Sequence, residues 1–163
     1  MLLVSSCLAL WPATASPAGL PGSAQESVAE EARATQESPA DGWRATLVRQ
    51  LVAAFNAHDP QAMGALTADG IQWLSIAGSS LATEAEGRAA LIEGMTSYFA
   101  DFPTVRSEIE ELAVMGDYVV VRERVTWNSA TGRRSQASMA VWEIADDKIV
   151  RVWYYPAERE GEG

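Results

Sequence analysis

A chain of 163 residues with 48% hydrophobic content is long enough for one domain with a sizeable core. Its net charge of −10 argues against a nucleic-acid partner, because phosphate recognition needs a basic patch. Five of the acids fall in residues 16–42 and three in residues 157–163, so acidic flanks carry most of the imbalance and favour solubility without naming a partner.

Residues 1–11 form a short apolar run, closed by Pro12 and followed by Ala13-Thr14-Ala15. An apolar stretch ending in a small-x-small site reads as a secretory signal peptide over residues 1–15, which implies a secreted or periplasmic protein. The usual positive n-region is missing. Cys7, the sole cysteine, lies in this leader, so the exported chain would have neither disulfide nor thiolate metal site. Val4-Ser5-Ser6-Cys7 also resembles a lipobox; a lipid anchor at Cys7 is the alternative, and it requires a start upstream of Met1. No other segment is long and apolar enough to span a membrane. Residues 16–42, rich in Ala, Ser, Pro and Glu, cannot bury enough apolar surface to offset ordering entropy and read as a flexible linker.

The domain is expected over residues 43–157, with an acidic tail after it. Asp41 is a plausible cap for a helix opening at Gly42-Trp43, whose Leu47, Val48, Leu51, Val52 and Phe55 recur at helical spacing. Asn56-Ala57-His58-Asp59-Pro60 ends it, and Asp59-Pro60 starts a short second helix reaching Leu66. Residues 71–76 read as a strand, broken by Ala77-Gly78-Ser79-Ser80. A third helix, from Gly87 to Phe102-Pro103, carries Leu91, Ile92, Met95, Tyr98 and Phe99 on one face. Four strands follow, over residues 105–115, 118–128, 135–144 and 148–155, joined by turns that make neighbours antiparallel. Three helices and a strand meander give an α+β fold, in which a strongly curved, mostly antiparallel sheet wraps round the helices.

Several stretches, in this order, resemble the SnoaL-like branch of the nuclear transport factor two-like superfamily, to which the limonene-epoxide hydrolase and ketosteroid isomerase families are related. They are Phe55-Asn56-Ala57-His58-Asp59, Ala68-Asp69-Gly70-Ile71-Gln72-Trp73, Gly87-Arg88-Ala89-Ala90-Leu91, Phe102-Pro103-Thr104-Val105-Arg106-Ser107-Glu108-Ile109, and Gly116-Asp117-Tyr118-Val119-Val120-Val121-Arg122. The resemblance implies a cone-shaped α+β barrel enclosing an apolar pocket, and commonly a homodimer through the outer face of the sheet. It also implies catalytic positions. The aspartate that serves SnoaL-type cyclases as general base, and the last-strand aspartate of the epoxide hydrolases, both fall at Tyr154. The hydrolases' Arg-x-Asp pair falls at Arg124 and Thr126. The Asp-Arg-Asp relay is therefore incomplete here.

Strand alternation sorts residues 118–128 into two sets. One contains Arg122, Arg124 and Thr126; the other contains Val119, Val121, Glu123, Val125 and Trp127. The first set either is solvated, with the arginines paired to glutamates of residues 105–115, or forms a polar pocket floor in which Arg124 orients a carbonyl or carboxylate. On the pocket reading, Tyr154, Arg124 and Thr126 are the catalytic candidates, with Tyr154 donating to a developing oxyanion. Glu123 is then turned away, no general base is identified, and Val119, Val121, Val125 and Trp127 suit the dimer face. The expected ligand-binding residues are Phe55, Trp73, Met95, Tyr98 and Met139, a lining for a small, flat, apolar molecule. His58, the only histidine, sits at a helix–helix turn and reads as structural. With one histidine and scattered acids, no metal is expected, and the absence of a glycine-rich phosphate loop gives no reason to expect another cofactor. The expected function is an exported pocket protein for a small apolar ligand, with a cofactor-independent isomerase, cyclase or epoxide-hydrolase-type enzyme as the alternative.

Overall fold

The computed structural model describes residues 39–159. The proposed leader, Cys7, the linker up to residue 38 and the tail from residue 160 lie outside the described residues. Helix α1 (Pro39–Asn56) begins three residues before the expected Gly42. Its stripe is buried as its spacing requires: Val48 is fully buried and Leu51 nearly so, with Ala45, Leu47 and Val52 beside them. Helix α2 (Pro60–Ala65) is capped by Asp59, whose Oδ1 accepts from the Ala62 amide at 2.9 Å, with Pro60 in the first turn where its missing N–H costs nothing. Helix α3 (Arg88–Asp101) buries Leu91, Gly94 and Phe99.

The strands are β1 (Thr67–Ala77), β2 (Ser80–Glu86), β3 (Arg106–Met115), β4 (Tyr118–Ser129), β5 (Gly132–Ala145), β6 (Lys148–Tyr154) and the short β7 (Glu158–Arg159). They form one curved, unclosed sheet in the order β2-β1-β6-β5-β4-β3, with β7 also pairing β5. The expected α+β architecture is present, with β2 and β3 at the edges among the described residues. β1 and β6 are parallel; the other pairings are antiparallel. The β5–β6 turn holds both Asp146 and Asp147 at positive φ, 49° and 59°, the geometry that matches a tight hairpin to strand twist.

β2 was not expected. Ser80-Leu81-Ala82-Thr83-Glu84-Ala85-Glu86 mixes helix formers with acids and has little strand propensity of its own. It is held by pairing with β1, in a hairpin whose register shifts between Trp73 and Leu74. The helices cover the concave face: α1 packs on β3, and α3 on β1 and β2. Val119 and Val121 of β4, Ala140 and Trp142 of β5 and Val152 of β6 point into that core. The sidedness that the pocket reading expects for β4 is therefore inverted. Val119, Val121, Val125 and Trp127 belong to the core side rather than a dimer face, while Arg122, Arg124 and Thr126 occupy the outer side.

Candidate active site

The concave face leaves a half-enclosed cavity of ≈ 160 Å³ between α1, α3 and the sheet. A volume of this order suits a single ring, since an engineered apolar cavity of about 150 Å³ holds benzene. Four of the five expected ligand-binding residues line it: Phe55 from α1, Trp73 from β1, and Met95 and Tyr98 from α3. Met139 does not. It is cross-strand partner to Arg122 and 42% exposed, because β5 turns its even-numbered residues inward here. Tyr154 lines the cavity, its ring stacked on Trp73 at 5.5 Å and 24°.

Arg124 and Thr126 lie away from the cavity. On the outer side, Arg124 Nε donates to Glu110 Oε1 at 2.5 Å and Arg122 Nε to Glu110 Oε2 at 3.0 Å. The hydrogen bond from Arg124 leads the causes that hold the Glu110 carboxyl below its ordinary value. The arginines thus take the solvated arrangement paired to a β3 glutamate, because alternation cannot place them on the same side as Val121 and Val125. His58 is also outside the cavity. At φ 54° it closes the α1–α2 turn, stacks on Phe99 at 4.5 Å and places Nε2 3.0 Å from the Val105 carbonyl oxygen.

The carboxylate missing from the sequence reading is Glu123. It follows Val119 and Val121 on the inward face, is 4% exposed and lines the cavity. Three elements hold it. Ser107 Oγ of β3 donates to Oε1, and Tyr154 Oη of β6 donates to Oε2 at 2.9 Å. Ser107 is itself fixed by Asn56 at the end of α1, which donates to its carbonyl and accepts from its amide, both at 2.7 Å. Among the described lining residues there is no Lys, Arg or His to neutralise the charge. Burial accordingly pushes the Glu123 carboxyl above its ordinary value, and the donors from Ser107 and Tyr154 oppose that shift only in part.

A buried carboxyl with a raised proton affinity, at the wall of an apolar cavity, is suited to take and return protons. Ser138, register partner of Glu123, and Gln136, partner of Val125, add neutral polar groups beside it. The alternation itself carried the signal for Glu123, which shares its face with four apolar residues. Assigning that face to the outside hid it.

Comparison with known proteins agrees with this architecture. No curated protein matches the chain significantly. Among solved structures, an uncharacterised cystatin-fold protein from Novosphingobium aromaticivorans is 26% identical, covering 67% of this chain and 94% of its own, with a TM-score of 0.60. A protein of Jannaschia sp. CCS1 provisionally assigned as a SnoaL-like polyketide cyclase is 17% identical, covering 76% and 91%, with a TM-score of 0.64. AclR from Streptomyces galilaeus, provisionally assigned as a hydroxylase, is 21% identical, covering 68% and 76%, with a TM-score of 0.57. The latter two similarities concern the fold. The family model described as a SnoaL-like domain matches residues 48–152, from the middle of α1 into β6, and the chain belongs to that family.

Proposed function

We propose that this SnoaL-like protein is a cofactor-independent proton-transfer enzyme of the isomerase type, acting on a small apolar carbonyl compound. The observation that carries the reading is Glu123, a buried carboxyl at the cavity wall whose two oxygens accept hydrogen bonds from different strands. Glu123 removes a proton from the carbon next to the carbonyl. The C–H bond breaks, an O–H bond forms on Glu123, and the electron pair moves to the carbonyl oxygen as an enolate. The Gln136 amide or Ser138 hydroxyl donates to that oxygen, and Glu123 returns the proton to the same or a conjugated carbon. Ser107 and Tyr154 hold the base in place. The apolar rings exclude water, which keeps the carboxylate basic.

Deuterium incorporation into single-ring ketones such as benzylacetone, followed by NMR in heavy water, tests the reaction. Protein-dependent exchange next to the carbonyl supports it; exchange no faster than in buffer, with binding intact, reduces the protein to a ligand carrier. Tyr154→Phe sharpens the assignment. Losing the Tyr154 donor leaves Oε2 less stabilised as an anion, so the Glu123 pKa rises further and the acid limb of the exchange profile moves to higher pH. A profile that keeps its position would remove Tyr154 from the site.

A homodimer through the outer sheet face is part of this proposal, with different residues from those expected. Leu81 and Tyr118, 60% and 43% exposed, stand with Val141 and Trp153 along an outer groove. Sedimentation equilibrium of the parent and Leu81→Glu tests it: a dimer that the substitution dissociates is expected, and a monomeric parent overturns it.

A further inference from the structure

A second carboxylate in the cavity says something about the substrate. Glu84 and Ala85 are neighbours on β2, and both line the cavity. Adjacent residues of an unbroken strand face opposite sides. Here Trp73 pairs with Ala85 but Leu74 with Thr83, so Glu84 is the unpaired residue of a bulge that turns it inward. Ser75 Oγ donates to its Oε1 at 2.5 Å. Ser75 is in turn register partner to Tyr154, whose ring stacks on Trp73. The carboxylate therefore stands beside an aromatic surface, and the described lining residues offer it no cationic partner.

An anionic ligand would meet two carboxylates in a poorly screened space, whereas a cation would gain both a carboxylate and ring faces. Resting on the reading of this cavity as the substrate site, we propose that the substrate carries a protonated amine, which docks on Glu84 while its carbonyl end reaches Glu123. The bulge makes Glu84 the residue that determines specificity, separate from the base.

The test compares benzylacetone with its ring-substituted aminomethyl and carboxymethyl derivatives, by calorimetric titration of the full chain. The amine is expected to bind about tenfold tighter than the parent ketone, and the acid about tenfold weaker. In Glu84→Gln, with its fold checked by circular dichroism, the amine should fall to the affinity of the parent ketone. Equal affinities for all three compounds, no binding by any of them, or a preference that survives in Glu84→Gln would overturn the proposal. Benzylacetone has no amine for Glu84, so its proton exchange by the unmutated protein reports on the proton-transfer reading by itself, and failure of the amine preference and failure of that reading are seen separately.

Discussion

Replacing Glu123 with glutamine is expected to slow proton exchange by roughly 10²–10⁴-fold, the range for loss of a positioned general base. Glutamine is close in shape and its amide oxygen can accept one of the two hydroxyl donors, so the fold should persist while the base is gone. The same variant has a stability signature of defined sign. Native Glu123 keeps its proton to higher pH than the unfolded chain does, because burial raises its carboxyl above the ordinary 4.5. Between those two values unfolding releases a proton, so this residue's contribution to stability falls as pH rises, then levels off above the raised value. Glutamine carries no such dependence. Relative to the parent, Glu123→Gln should therefore gain melting temperature from about pH 4 upward until the native carboxyl has ionised. Calorimetric scans over that interval check it. A difference that stays flat, together with exchange within a few-fold of the parent, would remove Glu123 from the chemistry.

Trp142→Ala is expected to lose about 3–5 kcal/mol, measured from denaturant midpoints, which is a large part of the stability of a domain this size. Trp142 is completely buried at the centre of the sheet and makes edge contacts with Trp73 at 5.7 Å and Tyr154 at 6.2 Å. Truncation removes the transfer energy of the indole and leaves a void that strands on both sides cannot close. Both rings that touch it also line the cavity, so ligand affinity should fall with stability. Phenylalanine at this position should recover much of the loss, because a ring still fills most of the space. A loss of less than about 1 kcal/mol would show that the core relaxes around the gap.

The elements were legible where pattern and burial agree. The stripe from Leu47 to Phe55 and the four late strands follow from periodicity, since most inward residues there are apolar. β2 was hidden because its conformation is imposed by β1, and the bulge that aims Glu84 leaves no signature in composition. On β4, parity separated Glu123 from Arg124 correctly, but parity does not say which set faces the helices. Treating the arginines as the chemically interesting set put the apolar set outside, and a single inversion displaced Arg124, Thr126 and Glu123 together. The charges of Arg122 and Arg124 are matched by Glu110 on the outer side, whereas four apolar side chains have no comparable outlet there. That asymmetry is the physical clue that selects the face.

The parallel pairing of β1 with β6 has a consequence for how the protein comes into being. Thr67 lies opposite Ile149 and Ser75 opposite Tyr154, so the two strands that together place Trp73 against Tyr154 are separated by most of the domain. During synthesis β1 emerges long before its partner, and its edge waits with unpaired amides until the last long strand leaves the ribosome. Closing so large a loop makes this a slow step by topology. A chaperone that shields exposed strand edges would find its substrate in this nascent chain between the appearance of Ala77 and that of Tyr154.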